Sequence, residues 1–190
     1  MAAHTEDDGD TRVSLGRIAA WGAGALLLLL PLVAMQFTNE VVWTGLDFAF
    51  AGTLIFGALG AYELAVRRTA AHDRAALGIA VVGGFMLVWS VAAVGLLDGP
   101  ADLMYGGVLA VGFVGALVAR FRAHGMAHAM FAMALAMAAV GVGAVLTGSI
   151  PASNTPFQIL GITGFFFALW LASAGLFWEA ARAEDERAGV

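Results

Sequence analysis

AALGIAVVGGFMLVWSVAAVGLL, residues 75 to 97, is a run of 23 residues without one ionised side chain. About 20 apolar residues in a helix rising roughly 1.5 Å per residue cross a hydrocarbon layer about 30 Å thick. A single segment in that layer can satisfy its own amides and carbonyls only as a helix. Five more runs of the same kind surround it: Ile18 to Met35, Thr44 to Val66, Leu103 to Ala119, Met126 to Thr147 and Phe157 to Trp178. The sequence therefore predicts an all-α fold, an integral membrane bundle of six transmembrane helices. The whole chain agrees, with 61% hydrophobic and 12% charged residues among its 190 and a mean hydropathy of +0.88. Soluble domains, disordered chains, coiled coils and nucleic-acid binders do not have this composition.

The nine arginines fix an expected threading. They lie at Arg12 and Arg17, at Arg67, Arg68 and Arg74, at Arg120 and Arg122, and at Arg182 and Arg187. With six spans, those four segments share one side. The loops at 36–43, 98–102 and 148–156 share the other, and they hold no arginine but carry Glu40, Asp98 and Asp102. The positive-inside rule then puts both termini in the cytoplasm. An odd number of spans would scatter arginine over both faces.

The expected organisation is an acidic, polar cytoplasmic tail at 1–17, a single transmembrane domain at 18–178 and a charged cytoplasmic tail at 179–190. Glu6, Asp7, Asp8 and Asp10 open the chain, and Glu184, Asp185 and Glu186 close it. Both ends are expected as solvated tails without a fold. The run at 18–35 is expected to stay as helix one. It is too long for a signal peptide, carries Pro31 near its far end, and lacks a small-x-small cleavage site. Short connections predict antiparallel neighbours. Gly99-Pro100 and the stretch from Pro151 to Pro156, with Ser153, Asn154 and Thr155, read as turns on the outer face. Trp43, Trp89, Tyr105 and Trp178 stand near span ends, where amphipathic rings favour the interface.

Composition also narrows the chemistry. Cysteine is absent, which removes disulfides, thiolate metal sites, iron–sulfur clusters and covalently attached c-type haem. Lysine is absent too, so no Schiff-base cofactor such as retinal or pyridoxal phosphate has an anchor. No nucleophile with its base, Walker loop, zinc-protease motif or dinucleotide fingerprint is present. The polar residues within the spans, Thr53, Ser90, Thr163 and Ser173, do not make a catalytic set. The expectation is a chain that is not an enzyme and has no cofactor, with the lipid bilayer and a second membrane protein or copy of itself as partners and no nucleic acid.

Four constellations merit individual readings. Gln36, Glu40, Asp47, Asp98 and Asp102 form a candidate outer polar cluster, an acidic vestibule able to collect cations or a basic partner. The competing and preferred reading makes Asp47 and Asp102 caps of helices two and four. Glu63 has Arg67 four residues on, an intrahelical pair worth about 0.3 to 0.5 kcal/mol when exposed. Ala49, Thr53, Gly57, Ala61 and Ala65 make a stripe of small residues along one face of helix two, a helix-packing seam. Its preferred partner lies within the chain, and a second subunit is the alternative.

Helix five begins with His124, Met126, His128, Met130, Met133 and Met137, side chains that suit soft metals. At 100° per residue the methionines fall within about 60° of one another and the histidines nearly opposite. Methionine so spaced reads as packing. His124 and His128, with His72, remain weak candidates for a metal or haem at the cytoplasmic rim. A shift of 55 residues aligns Asp47 with Asp102, Gly52 with Gly107, Gly57 with Gly112, Gly60 with Gly115 and Arg67 with Arg122. That is the weak trace a duplicated hairpin would leave, although the match fades in helices three and five.

Three stretches carry a family resemblance: PLVAMQFTNEVVWTGLDFAFAG at 31–52, LMYGGVLAVGFVGALVARFRAHGMAHAMFA at 103–132 and GITGFFFALWLASAGLF at 161–177. Their most specific part is F-T-x-E-V-x-W-x-x-x-D-F, here Phe37, Thr38, Glu40, Val41, Trp43, Asp47 and Phe48. Together they resemble an uncharacterised family of small bacterial multi-span integral membrane proteins. The resemblance implies the bacterial cytoplasmic membrane and brings no activity. It associates the helix-four-to-five loop with arginine and proline, so His124 and His128 depart from it. A non-enzymatic accessory or assembly subunit is the expected role, with a small transporter or channel using the acidic vestibule as the alternative.

Overall fold

A computed structural model describes residues 4–67, 69, 73–97 and 99–189. The described elements are helical: α1 (His4–Ala34), α2 (Gly45–Val66), α3 (Arg74–Val94), a short 3-10 turn (Gly99–Asp102), α4 (Leu103–Ala119), α5 (Ala123–Thr147) and α6 (Pro156–Ala188). All six α-helices are long and apolar enough to cross a membrane, the make-up of a multi-pass membrane protein.

Several boundaries differ from expectation, and α5 starts at Ala123 rather than Met126. The tails read as unfolded are helical, because α1 starts at His4 and α6 runs to Ala188. After Trp178 the sequence EAARAEDERA consists, Asp185 apart, of strong helix formers, and Gly189 at φ +75° closes the helix in the left-handed region. Finally, α3 stops at Val94 rather than Leu97: Gly95 takes φ +64° and donates its amide to Val91 O at 3.0 Å. A side chain there would be strained.

The chain divides into two units, Met1–Ala61 and Tyr62–Val190. In the first, Trp21 of α1 stacks on Phe56 of α2 with centroids 5.6 Å apart. Gly24 lets the helices approach, since a Cβ placed there would stand 2.9 Å from Ile55 and 3.1 Å from Leu59. Only 6% of the apolar stretch of α1 is buried, against 39% of α5.

The second unit holds the main core. There α5 packs along α4 and α6, and α3 along α6. Met126, Met130, Met133 and Met137 all face this core, none more than 4% exposed, beside Leu87, Trp170 and Phe177. Flexible thioethers fill the space where small residues draw backbones together. A Cβ on Gly115 would lie 2.6 Å from the Ala129 Cβ, and one on Gly125 the same distance from the Ala119 Cβ. Tyr105 does not anchor an interface, being only 2% exposed. One turn into α4, its ring is drawn into the core beside Val108. The α4–α5 turn sets two non-glycine residues, Arg120 and Phe121, at φ 51° and 60°.

Three hydroxyl groups bond back along their own helices, whereas the buried hydroxyls of Tyr105 and Thr163 have no hydrogen-bond partner among the described residues. Thr53 donates to Ala49 O, Ser90 to Met86 O and Thr147 to Gly143 O, each within 2.8 Å and each one turn back along its own helix. Ser173 is different: fully buried, it donates to Ala76 O at 2.8 Å and ties α6 to α3.

Candidate functional site

The candidate outer residues are engaged locally. Asp47 Oδ2 accepts from the Thr44 amide at 2.6 Å and the Thr44 hydroxyl at 2.8 Å, while the Asp47 amide reaches Thr44 Oγ1 at 3.4 Å. This is a capping box, with Thr44 at the cap and Asp47 three residues on. Thr155 and Gln158 repeat it at the start of α6. The signal for both was the Thr-x-x-Asp and Thr-x-x-Gln spacing. Asp102 departs from the reading as a cap of α4, because its side chain makes no cap hydrogen bond there. Its Oδ1 instead accepts from the amides of Leu96 and Leu97 at 3.0 and 2.7 Å. These amides are freed where α3 breaks at Gly95, so the carboxylate goes to the unpaired donors rather than to its own helix. Gln36 Nε2 donates to Leu32 O at 3.4 Å, and the Glu40 amide donates to Thr38 Oγ1 at 3.1 Å. Asp98 and His72 lie outside the described residues. Glu63 is half-buried near the end of α2 and Arg67 is exposed just beyond it.

The small-residue stripe faces away from α1. Ala49, Thr53, Gly57 and Ala61 are exposed, and a Cβ added to Gly57 would meet nothing within 4 Å. The α1-facing side of α2 carries Gly52, Ile55, Phe56 and Leu59 instead. Within the first unit, α1 brings its own glycine to a different and bulky face of α2 rather than to these four residues. Ala65 alone is buried, in the core of the second unit.

At the arginine-bearing end of the second unit, three aromatic side chains meet. His124 and His128 of α5 and Trp178 of α6 have ring centroids 5.5 to 5.6 Å apart. Both histidines are exposed, on the side of α5 away from the methionines. His128 Nδ1 lies 2.7 Å from His124 O. A carbonyl oxygen can only accept, so Nδ1 carries the proton and Nε2 of the neutral ring is left as an acceptor. Beside this cluster runs an open groove of about 510 Å³ between α5 and α6, walled by His128, Phe131, Leu171 and Trp178, with Ala174 and Gly175 on its α6 side. Its volume falls within the roughly 300–1,000 Å³ of small-molecule sites. The histidine spacing was visible in the sequence, but the α6 wall lies more than 40 residues away and has no motif. Among the described residues, no three His, Asp or Glu side chains converge as metal ligands.

The chain finds no match among protein-family models, curated proteins or solved structures.

Proposed function

We propose that this chain is an integral protein of the bacterial cytoplasmic membrane, with both termini inside, and that it serves as a non-enzymatic accessory or assembly subunit. The observation that carries this reading is the exposed seam of Ala49, Thr53, Gly57 and Ala61 on a helix whose other face already holds α1. In lipid there is little hydrophobic drive between helices, so association relies on close backbone approach, which small residues permit. A second membrane protein, or a second copy, fits that seam. Arginine placement supports the orientation, and the three resembling stretches support the bacterial membrane. The engagement of Asp47 and Asp102 with backbone amides supports this reading over an ion-collecting vestibule.

Native mass measurement after extraction in mild detergent tests it. The expected result is a complex larger than one chain, reduced to a folded single chain by the double substitution Gly57→Leu and Ala61→Leu. A wild-type protein that emerges only as a lone monomer sinks the proposal. For the transporter reading, liposome flux that falls with Asp47→Asn would speak in its favour, and flux indifferent to that change removes it.

A further inference from the structure

From the groove between α5 and α6, we infer a binding site for a lipid-soluble amphiphile whose head is an aromatic ring bearing a hydroxyl group, a phenol or quinol. The site is separate from the α2 seam and does not depend on it.

Three features specify the ligand. First, polarity runs along the groove: His128 and Trp178 stand at the rim, and Phe131 and Leu171 lie deeper along the two antiparallel helices. A molecule with one polar end and an apolar tail matches that gradient. Second, the groove offers an acceptor on His128 beside the donor-only indole of Trp178. With Nδ1–H held by the His124 carbonyl at 2.7 Å, the neutral His128 ring offers Nε2 to a donor, and no hydrogen-bond partner for Nε2 occurs among the described residues. In an apolar setting a hydroxyl is better matched to that nitrogen than a carbonyl or ether, which only accept. Third, the walls are aromatic. The Trp178 and His128 rings, 5.6 Å apart, and Phe131 provide faces and edges against which a ring packs better than a saturated headgroup. The groove stays open because α6 places Gly175 there, where an added Cβ would meet nothing within 4 Å.

The experiment uses the full chain, labelled with ¹⁵N-histidine in detergent micelles, titrated with para-decylphenol and, separately, with its methyl ether para-decylanisole. The expected result is a saturable shift of the His128 Nε2 resonance with the phenol and at least about tenfold weaker binding of the ether, tenfold corresponding to roughly 1.4 kcal/mol. Gly175→Leu, which fills the groove from a position with free space, should abolish the saturable shift. His128→Phe keeps the groove and should erase the preference for phenol, read from Trp178 fluorescence. Three results would overturn the inference. They are equal binding of phenol and ether to the wild type, phenol binding unchanged by Gly175→Leu, or displacement of the phenol by stoichiometric zinc, which would make the pair a metal site instead.

Discussion

In α2, Gly57 and Gly60 face open space, whereas in α4 the residues 55 positions further on, Gly112 and Gly115, lie against Met133 and Ala129 of α5. Both helices repeat the same glycine spacing, and both carry an acid at their N-terminal start. The acids part company as well. Asp47 closes a box on its own helix start, while Asp102 reaches back to the amides of Leu96 and Leu97. Spacing therefore describes what a helix surface permits. The neighbour decides what is made of it: α5 presents Ala129, small enough for backbone contact, whereas α1 presents Trp21 and supplies its own close approach at Gly24.

The largest expected effect comes from closing that approach in α4. Gly115→Leu would drive a side chain into Ala129, whose Cβ and Cα already stand 2.6 and 3.2 Å from an added Cβ. Neither helix backbone can yield at that distance without losing the α4–α5 contact. Overpacking should cost about 3 kcal/mol, well above the roughly 1 kcal/mol that leaving glycine returns in helix propensity. Reversible unfolding in mixed micelles, followed by circular dichroism, measures it. An unchanged midpoint would mean that α4 and α5 are not in close contact at Gly115 and would erase the contrast with α2.

The acids give the next step down. Asp102→Ala leaves two partly buried amides without their acceptor, a loss of about 2 kcal/mol at roughly 1–3 for each orphaned buried donor, partly relieved by exposure at the loop. Asp47→Ala removes half of an exposed capping box and should cost about 1 kcal/mol. The same unfolding assay ranks the pair. If Asp47→Ala proves the more damaging, its carboxylate does more than hold Thr44, and the start of α2 regains its claim as a site.

Much of this was legible before any coordinates. Runs such as 75–97 announce helices because nothing else closes the backbone in lipid, and the 100° projection of helix five already separates Met126, Met130, Met133 and Met137 from His124 and His128. At the start of α2 the sequence reading is half right, because it makes Asp47 the cap, whereas Thr44 is the cap and Asp47 closes the box from three residues on. What stayed hidden depends on chain return. No local pattern says that Asp102 will turn back to Leu96 and Leu97, since that follows from the break at Gly95 and the turn at Gly99–Asp102. Tyr105 looked interfacial because its position along α4 is shallow, and only the packing around it makes it buried. The groove escaped for the same reason, with one wall on α5 and the other supplied by Leu171, Gly175 and Trp178. The charged tails misled in a different way, because acidity was read as solvation while EAARAEDERA also has high helix propensity.

The smallest effect is the most discriminating, because its sign is opposite. Gly57→Leu in α2 adds a side chain where a Cβ meets nothing within 4 Å, so no overpacking term arises. Replacing a mid-helix glycine removes a backbone-entropy penalty of roughly 0.5–1 kcal/mol. The isolated chain should therefore unfold later by about that amount, while Gly115→Leu makes it unfold earlier. Yet the same leucine occupies the seam through which a partner helix would approach. Association measured by native mass should weaken even as the single chain becomes more stable. Opposed changes of this kind occur only if the open face of α2 is reserved for something outside the chain. Were Gly57→Leu to destabilise the monomer as Gly115→Leu does, the seam would already be filled from within, and α2 and α4 would be two uses of one packing rule rather than two different ones.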